Sequence, residues 1–412
     1  MAETETANPA EFGMNSARLD AIPGYFETRY LKTGKLPCMA TLVSRGGEVL
    51  HESYRGTTHL AGEGSPVGPE TIFRIYSMTK PVTSLAAMML FEEGDLRLDH
   101  PLSRYIPEFA DTRVWVGGSM EGPELKAPDR EIEIRDLFTH TSGLTYGFLY
   151  QHPVDAMYRE QKIARPDETL EEMCKRLAAL PLVFSPGERW NYSHSTDVLA
   201  RVVEVVSGQT LDAFFRERIF GPLGMEDTDF HVPEAKWPRL TACYQRDPMS
   251  GEISLSDGAG GESRAYRTQP PMLNGGGGLV STVRDYYRFC LCLLNGGSLG
   301  GARLISPKTW EFMAQNHLPG GATIKSMGDK TFSEARMEGN GFGLGGSVIT
   351  NVAETMQPGS EGTFSWGGLA NTFFWIDPQE ELIAIQMTQM IPSGCYPVRP
   401  QFQQLVYAAI DA

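Results

Sequence analysis

Ser77-Met78-Thr79-Lys80, an S-x-x-K sequence at residues 77–80, stands at the head of the helical segment Val82–Glu93. Residues three apart in a helix share a face, so the Lys80 ammonium can reach the Ser77 hydroxyl. The unpaired N–H groups at a helix N-terminus favour developing negative charge. Because Pro81 would be costly deep inside a helix, the helix begins close to Ser77. The stretch predicts an accessible nucleophile, although S-x-x-K by itself is a weak signal that occurs by chance in many proteins, more often as an ordinary solvated helix start.

On the N-terminal side of this stretch the sequence favours strands. Residues 16–34 read as a helix that ends at a glycine, and two apolar runs follow, Cys38–Ser44 and Glu48–Tyr54. Gly46-Gly47 lies between the runs and supplies the positive φ angles that a two-residue hairpin needs. We therefore predict a β-hairpin here and a further short strand before Tyr76.

On the C-terminal side a long helical region is followed by a return to strands. Amphipathic segments are predicted as helices, and the last hundred residues contain a predicted hairpin, Thr363–Ile376 with Glu381–Met390 around Asp377-Pro378, and a closing helix, Val398–Ile410. The predicted helices between these two regions are Thr169–Leu180, Asp197–Val206, Leu211–Ile219 and Val283–Leu294, the last with Ser281 as its N-cap.

This order predicts an α+β fold whose antiparallel sheet is assembled from both ends of the chain. A length of 412 residues suits two domains. We predict an α/β domain formed by residues 1–76 and 315–412 and a mainly helical domain formed by residues 77–314. The candidate active site would lie at their junction.

The composition excludes several classes of partner. The formal net charge is −15 at pH 7, whereas nucleic acids and anionic membranes need basic patches. The segment Met1–Asn8 lacks the features of a secretory signal, and the strongly apolar stretch Leu85–Phe91 is far shorter than the ~20 residues of a membrane span. We predict a cytoplasmic protein that binds neither nucleic acid nor membrane; the sequence does not define its oligomeric state.

The cysteines and histidines predict neither a disulfide framework nor a metal site. Six cysteines are scattered along the chain, which is typical of reduced, buried thiols. The eight histidines form no HExxH sequence and no paired ligand spacing. No cofactor is predicted.

Two distant segments carry groups that would complete a site around Ser77. Tyr192 follows a Ser-Pro-Gly turn, and a phenol near Lys80 can shuttle a proton between the serine and a leaving group. Trp366-Gly367-Gly368-Leu369 falls on a predicted edge strand, where glycine marks a close approach to the backbone. The Leu369 and Ser77 N–H groups would then form an oxyanion hole. The alternatives are a tyrosine packed in the core and an ordinary bulge in a hairpin.

A competing sequence, Gly296-Gly297-Ser298-Leu299-Gly300, matches the G-x-S-x-G nucleophile elbow. The elbow needs a strand immediately before the serine and a helix after it. Here a predicted helix precedes Ser298, and His317 is the only later histidine. We therefore interpret this segment as a glycine-rich turn.

Taken in order, the S-x-x-K sequence, Tyr192-Ser193-His194 and Trp366-Gly367-Gly368 resemble the three motifs of the serine β-lactamase and penicillin-binding-protein superfamily. The match is best to the family VIII carboxylesterases, which are similar to class C β-lactamases. Supporting segments extend it over nearly the whole chain; they are His140-Thr141-Ser142-Gly143-Leu144, Phe184-Ser185-Pro186-Gly187, Gly277-Gly278-Leu279-Val280-Ser281 and Phe374-Trp375-Ile376-Asp377-Pro378.

The resemblance implies a β-lactamase-like fold and assigns a role to each motif. Ser77 would be the acylated nucleophile, Lys80 its activating partner and Tyr192 a general acid and base. Sequence leaves open whether Lys80 or Tyr192 takes the serine proton, because the two would titrate as a coupled pair. The Ser77 and Leu369 amides would form the oxyanion hole.

Two departures bear on the substrate. Trp366 stands where β-lactamases usually have a lysine, so a substrate carboxylate would lose ~1.5–3 kcal/mol, or roughly tenfold to a hundredfold in binding. Neutral esters would lose nothing. His194 stands where the second motif usually has asparagine. It is predicted either to contact substrate together with Trp366, Gly367 and Gly368, or to be structural.

The resulting prediction is a carboxylesterase for small esters with short acyl chains, with weak β-lactam turnover as a side activity. A β-lactamase or D-alanyl peptidase is the main alternative, and Trp366 counts against it. An acyltransferase and a catalytically silent binding protein are further alternatives.

Overall fold

Seven strands from both ends of the chain form one antiparallel sheet in this computed structural model, which describes residues 6–60, 64–328 and 332–411. Residues 1–5 of the N-terminal segment Met1–Asn8 lie outside the described residues. The described residues contain sixteen strands, of which nine lie outside this sheet in smaller ones: β1 (Cys38–Arg45), β2 (Glu48–Gly56), β3 (Phe73–Arg74), β4 (Val114–Gly118), β5 (Pro123–Lys126), β6 (Cys243–Arg246), β7 (Ile253–Asp257), β8 (Val280–Ser281), β9 (Ser298–Leu299), β10 (Ala302–Arg303), β11 (Asn340–Phe342), β12 (Ser347–Ile349), β13 (Phe364–Gly368), β14 (Thr372–Asp377), β15 (Leu382–Met387) and β16 (Met390–Ile391).

The order of strands in the sheet is β11-β12-β13-β14-β15-β1-β2. Strand β1 pairs with β15, so Ala40 lies opposite Met387 although the two are far apart in sequence. The predicted α+β class and the assembly of the sheet from both chain ends are confirmed.

Helices cover both faces of this sheet and form the region between its two halves. They are α1 (Ser16–Phe26), α2 (Thr79–Glu93), α3 (Ile134–Thr139), α4 (Pro153–Glu160), α5 (Leu170–Ala178), α6 (Ser195–Ser207), α7 (Leu211–Phe215), α8 (Gly221–Leu223), α9 (Val283–Leu294), α10 (Pro307–Met313), α11 (Ile324–Met327), α12 (Val352–Thr355) and α13 (Val398–Tyr407).

The two faces of the sheet are covered by different helices. On one face α1 and α13 pack together, with the Phe26 and Phe402 ring centroids 6.3 Å apart and the Trp375 ring 5.4 Å from Phe402. On the other face Tyr286 of α9 lies 5.1 Å from the Phe374 ring of β14. Helix α9 belongs to the segment 77–314 and yet packs on the sheet, so the domain boundaries at 76 and 314 remain a prediction.

Helix α2 runs through the core. Every residue from Thr79 to Leu90 is buried, including the polar residues Lys80, Thr83 and Ser84. Helix α2 ends where Gly94 adopts the left-handed conformation (φ 88°). Because α2 is enclosed, its first residues face a protein interior rather than bulk water.

Local predictions near the sheet hold in part. The β1–β2 hairpin is confirmed, with Gly46 and Gly47 both at positive φ. The prediction of one strand over Thr363–Ile376 is wrong, because the chain turns back between β13 and β14 with Asn371 at φ 63°. Both strands are fully buried and apolar, so hydrophobicity alone hides the turn.

The N-cap prediction for α9 also needs correction. Thr282, rather than Ser281, accepts a hydrogen bond from the N–H of Asp285 and caps the helix, while Ser281 ends β8. Ser298 lies in the small β9–β10 hairpin that follows α9, which agrees with the interpretation of this segment as a turn.

The six cysteines are unpaired and five of them are buried, as predicted for reduced thiols. Across the described ranges the structure has no helix that is long and apolar enough to span a membrane. The cytoplasmic location remains a prediction.

Candidate active site

Ser77 lies in a single 3₁₀ turn, Tyr76–Met78, which leads directly into α2. The residue before it, Tyr76, has φ 42°, a left-handed conformation that is rare for a bulky side chain and costs of order 1–3 kcal/mol. The turn is held from both sides, because Ile75 N–H donates to the Leu279 carbonyl (3.1 Å) and Leu279 N–H donates to the Thr79 hydroxyl (3.1 Å). The fold therefore fixes the serine in a strained but well-supported position.

Three of the predicted side chains meet at the Ser77 hydroxyl. The Tyr192 O–H donates to Ser77 Oγ at 2.7 Å, and Lys80 Nζ donates to the same oxygen at 3.3 Å. The Lys80 and Tyr192 side chains are each 1% exposed, whereas Ser77 retains 9% of its surface. The serine is thus the member of the trio that a small molecule can reach.

Burial shifts the proton affinities of both partners of the serine. Burial lowers the pKa of Lys80 to about 8, although the carboxylates of Asp197 and Glu334 oppose the shift. Burial raises the pKa of Tyr192 well above its ordinary value, and Glu334 adds to the rise. The indole of Trp366 lies close enough to the phenol to favour its ionised form, but Trp366 Nε1 makes no hydrogen bond among the described residues. Near neutral pH the neutral amine of Lys80 is therefore far more accessible than the tyrosinate of Tyr192.

Two groups around Lys80 were missed by sequence reasoning. Lys80 Nζ donates to the Tyr146 hydroxyl at 3.2 Å and to the Gly276 carbonyl at 2.6 Å. Tyr146 comes just after His140-Thr141-Ser142-Gly143-Leu144, a segment that supported the family resemblance, so its position was the available signal. The carbonyl of a glycine in a Gly-rich loop carries no such signal.

The Gly-rich run Asn274–Gly278 is a tight loop, and its glycines permit close packing on α6. A Cβ atom at Gly275 would lie 2.4 Å from the Cβ of Ala200, and one at Gly276 would lie 3.0 Å from the Asp197 carboxylate. The Thr83 hydroxyl of α2 donates to the Gly275 carbonyl at 2.7 Å. The loop is thus clamped between α2 and α6.

His194 lies behind the site rather than at its opening. Its Nδ1 lies 2.8 Å from Asp197 Oδ2, and because a carboxylate only accepts, Nδ1 must carry the hydrogen. The imidazole packs edge-on against the Tyr146 ring, with centroids 4.3 Å apart, and His194 is 7% exposed. These contacts favour the structural interpretation, and contact of His194 with substrate remains a prediction.

The Trp366-Gly367-Gly368-Leu369 segment lies beside the serine, but the strand is internal and not at an edge of the sheet. Strand β13 pairs with β12 only through Phe364 and Ser365, so its Trp366 end extends past that neighbour. The Trp366 side chain is fully buried and packs on the Tyr192 ring at 5.6 Å. In this arrangement Trp366 supports the phenol from behind, and its predicted apolar face toward substrate is covered.

The two glycines of this segment allow protein groups to approach the strand closely. A Cβ at Gly368 would lie 2.2 Å from the Ile75 carbonyl oxygen, and one at Gly367 would lie 2.6 Å from the Arg399 guanidinium. The strand end is therefore pressed against the turn that carries Ser77. The Leu369 N–H, just past the end of β13, donates to no turn or loop carbonyl within the described part of the chain, as a donor of an oxyanion hole should.

A buried ion pair lies on the other side of this strand. Arg399 Nη2 donates to Glu334 Oε2 at 2.9 Å, to the Gly368 carbonyl at 2.6 Å and to the Thr372 carbonyl at 3.0 Å. The guanidinium is thus committed to holding the β13–β14 turn. Glu334 nevertheless acts on Lys80 through its charge.

Aromatic side chains pack beside the two tyrosines that contact Ser77 and Lys80. Phe148 is 51% exposed and stacks on the Tyr146 ring at 4.8 Å. Phe332 lies 6.3 Å from the Phe148 ring and 5.9 Å from the Tyr192 ring. Phe148 and Phe332 therefore place apolar surface beside the Tyr146 and Tyr192 rings.

Comparison with known proteins supports the motif-based resemblance. The family model described as Beta-lactamase matches residues 26–406. Protein Rv1367c of Mycobacterium tuberculosis strain H37Rv is 38% identical over 333 residues, with 80% of each chain covered. Esterase EstB of Burkholderia gladioli is 29% identical over 418 residues, with 97% of this chain and 98% of EstB covered.

A solved structure shows that the similarity extends to the fold. EstCE1, a hydrolase with promiscuous acyltransferase activity, superposes with a TM-score of 0.77 at 25% identity, with 96% of this chain and 99% of EstCE1 covered. The β-lactamase-like fold and the resemblance to family VIII esterases are thereby confirmed. With a family match over nearly its full length, the chain belongs to the beta-lactamase family.

Proposed function

We propose that this protein is a carboxylesterase that hydrolyses small esters with short acyl chains through a covalent acyl-Ser77 intermediate. The observation that carries the proposal is the pair of contacts to one oxygen, Tyr192 O–H at 2.7 Å and Lys80 Nζ at 3.3 Å. A hydroxyl held between an amine and a phenol has both a proton acceptor and a proton donor within reach. The esterase name of EstB supports the same function.

In the proposed acylation step, neutral Lys80 accepts the Ser77 proton as Oγ attacks the ester carbonyl. The tetrahedral intermediate collapses when the C–O bond to the leaving group breaks, and Tyr192 gives its proton to the departing alkoxide. The Lys80 ammonium, whose Nζ lies 4.5 Å from the Tyr192 ring centroid, then returns a proton to the tyrosinate. The alcohol product therefore leaves with the Tyr192 proton, and the proton lost by Ser77 is made good at Tyr192 through Lys80. Because Lys80 and Tyr192 contact the same Ser77 oxygen, pKa values obtained from a pH–rate profile would belong to the pair and not to either residue alone.

The developing oxyanion would be bound by the N–H groups of Ser77 and Leu369. Backbone donors fixed in advance are effective because they need no reorganisation during the reaction. Deacylation repeats the sequence with water in place of the alcohol, so hydrolysis proceeds in two steps.

The preference for neutral esters follows from the charges near the site. Trp366 replaces the lysine of the third β-lactamase motif, and the nearby guanidinium of Arg399 is engaged by Glu334 and two carbonyls. A substrate carboxylate would lose a charge-assisted hydrogen bond, or about tenfold to a hundredfold in binding. The apolar surface that Phe148 and Phe332 place beside the Tyr146 and Tyr192 rings suits an apolar acyl group.

The decisive experiment compares p-nitrophenyl esters from acetate to decanoate with the β-lactam nitrocefin. We expect kcat/KM to be highest for the short esters and nitrocefin turnover to be weak or undetectable. Faster hydrolysis of nitrocefin than of every ester would replace the proposal with the β-lactamase alternative.

Ser77→Ala tests the nucleophile, and Ser298→Ala is its matched control. We expect the first variant to lose ester turnover and the second to retain it. Brief exposure to a fluorophosphonate should add one adduct to the wild-type intact mass and none to Ser77→Ala. A wild-type protein that takes up no label would support a catalytically silent binding protein instead.

Acyl transfer is a second candidate, and the relationship to EstCE1 favours testing it. An acyl-enzyme can be attacked by an alcohol in place of water. Adding a primary alcohol to the ester assay and measuring the ratio of new ester to free acid separates the two activities. We expect free acid to dominate.

A further inference from the structure

Asp197 is a fully buried carboxylate in the first turn of α6. Hydrogen bonds connect it to the Lys80 ammonium through the backbone of a single residue, Gly276. Asp197 Oδ1 accepts a hydrogen bond from the Gly276 N–H at 2.8 Å, and the carbonyl of the same glycine accepts one from Lys80 Nζ at 2.6 Å. Its other oxygen accepts from His194 Nδ1 at 2.8 Å.

These bonds give the carboxylate a mechanical connection to Lys80. The loop that carries Gly276 also accepts a hydrogen bond from Thr83 at the Gly275 carbonyl, so two helices hold it at adjacent residues. Without the bond to Asp197, the Gly276 carbonyl would be fixed from the α2 side only. The hydrogen bond from the Lys80 ammonium to this carbonyl would then be held less firmly in place.

The same carboxylate also acts on Lys80 through its charge. Its negative charge favours the protonated amine and raises the pKa of Lys80, against the larger opposing effect of burial. An unpaired buried carboxylate would be very costly, so the hydrogen bond from His194 helps to retain the charge there.

We infer that Asp197 is a positioning residue that holds the Gly276 carbonyl against Lys80 and, with His194 as its anchor, tunes the readiness of Lys80 to accept the Ser77 proton. The inference rests on the proposed function, in which Lys80 activates Ser77. It assigns a role to a carboxylate that touches neither the serine nor the approach to it.

Among the described residues, the other charged and titratable groups around Lys80 do not combine a charge that acts on Lys80 with a hydrogen bond to the Gly276 loop. Glu334 also acts on Lys80 through its charge, but it is paired with Arg399 and has no hydrogen bond to the Gly276 loop. Tyr146 and Tyr192 are buried phenols whose pKa values burial raises, so they stay neutral. Burial also lowers the pKa of His140 well below its ordinary value and keeps that imidazole uncharged.

Among the described residues, the other aromatic neighbours of His194 are neutral phenols. Its ring is in contact with the Tyr146 ring at 4.3 Å and approaches the Tyr158 ring at 6.2 Å. Burial raises the pKa of Tyr158. Removing the charge of Asp197 should therefore be felt directly at Lys80.

The test is Asp197→Asn, because an amide oxygen can still accept from the Gly276 N–H while the charge is gone. On the acid side of the kcat/KM–pH profile, activity falls as Lys80 becomes protonated. This limb should move to lower pH by about one unit or more. Asp197→Ser, which also removes the charge and keeps an acceptor oxygen, should move it the same way if the Asn variant does not fold. A limb that stays in place in a folded, uncharged variant would overturn the inference.

Two charge-matched controls separate tuning from a general structural effect. Asp197→Glu keeps the charge, so the limb should stay near its wild-type pH even if kcat falls. Asp155→Asn removes another buried carboxylate, bonded to the Thr145 hydroxyl at 2.7 Å and not among the charges that act on Lys80. It should leave the limb unmoved, and an equal shift in this control would contradict a specific role for Asp197.

A second readout keeps this inference independent of ester turnover. The rate at which a fluorophosphonate labels Ser77, measured against pH, depends on the same proton acceptor. A wild-type protein that labels but hydrolyses no ester would refute the proposed function, while the labelling profile of Asp197→Asn would still test the role of the Asp197 charge in tuning Lys80. A labelling profile unchanged by the substitution would refute that role.

Discussion

The two sides of the Lys80 ammonium are built in opposite ways. On one side stands Ser77, three residues earlier in the same helical turn. On the other side stands the Gly276 carbonyl, 196 residues away in sequence, held in place by a carboxylate from a third element. Lys80 Nζ donates both hydrogen bonds, yet only the first contact follows from local helical spacing.

This difference separates what defines the chemistry from what tunes it. The local side supplies the nucleophile and the amine, which any S-x-x-K helix start would bring together. The distant side satisfies the remaining N–H groups of Lys80 through Tyr146 and Gly276 and surrounds the amine with buried groups. Substitutions on the local side should therefore abolish activity, whereas those on the distant side should lower it or shift its pH dependence.

The largest expected effect comes from removing the amine of the local side. Lys80→Met keeps the length and apolar stem of the side chain but cannot accept a proton, so kcat/KM for a short ester should fall by about 10²–10⁴-fold. Lys175→Met removes an exposed lysine on α5 that bonds Glu171, and it should leave the rate unchanged. Substantial activity in Lys80→Met at all pH values would mean that Tyr192 alone activates the serine.

A smaller effect is expected from a change of pH, which tests the contacts on both sides of the Lys80 amine together. Because burial lowers the pKa of Lys80 to about 8, the neutral amine predominates above that pH and is lost as pH falls. For an uncharged ester, kcat/KM should therefore fall by about tenfold per pH unit well below this pKa, or about fiftyfold between pH 8 and pH 6. A profile that is flat from pH 6 to pH 9 would exclude a proton acceptor of this kind.

How much of this site the sequence predicted depends on how far apart in sequence the contacting residues lie. The spacing of Ser77 and Lys80 required only a helix start, and the structure has one. The meeting of Tyr192 with Ser77 followed from motif order and family resemblance, since no local pattern relates residues 115 positions apart. Asp197 and Gly276 matched no motif, because their roles arise only from the packing of α6 on a glycine loop.

The fold shows the same limit at β13 and β14. Alternation and β-branched or aromatic content predicted strands in this part of the chain, and a sheet formed from both ends was correctly expected. The turn at residues 369–371 was hidden because both strands are buried on both faces and read as one apolar run. The orientation of Trp366, behind the phenol and away from the opening, depends on that turn and could not be read from the motif.

A more moderate effect is expected where the distant strand presses on the serine turn. In Gly368→Ala the new Cβ would lie 2.2 Å from the Ile75 carbonyl oxygen, so backbone must move. Displacing the neighbouring Leu369 N–H should lower kcat by about tenfold to a hundredfold, less than complete loss of an oxyanion donor. Gly24→Ala is the control, since nothing lies within 4 Å of its Cβ position in α1 and alanine is the better helix former. A wild-type kcat in Gly368→Ala would argue against a tight strand contact.

The smallest effect should come from Tyr146→Phe, which removes one of the three hydrogen-bond partners of Lys80 and keeps the aromatic ring that stacks on Phe148. The Ser77 and Gly276 contacts remain, so the amine stays in place and kcat/KM should fall by less than about tenfold. Because the Tyr146 oxygen accepts from the ammonium, its loss should also move the acid limb slightly to lower pH. Tyr30→Phe, which removes a hydroxyl bonded to Gln401 at 2.7 Å, should change neither quantity. A loss as large as that of Lys80→Met would show that the distant side of the amine is part of the chemistry and not only its support.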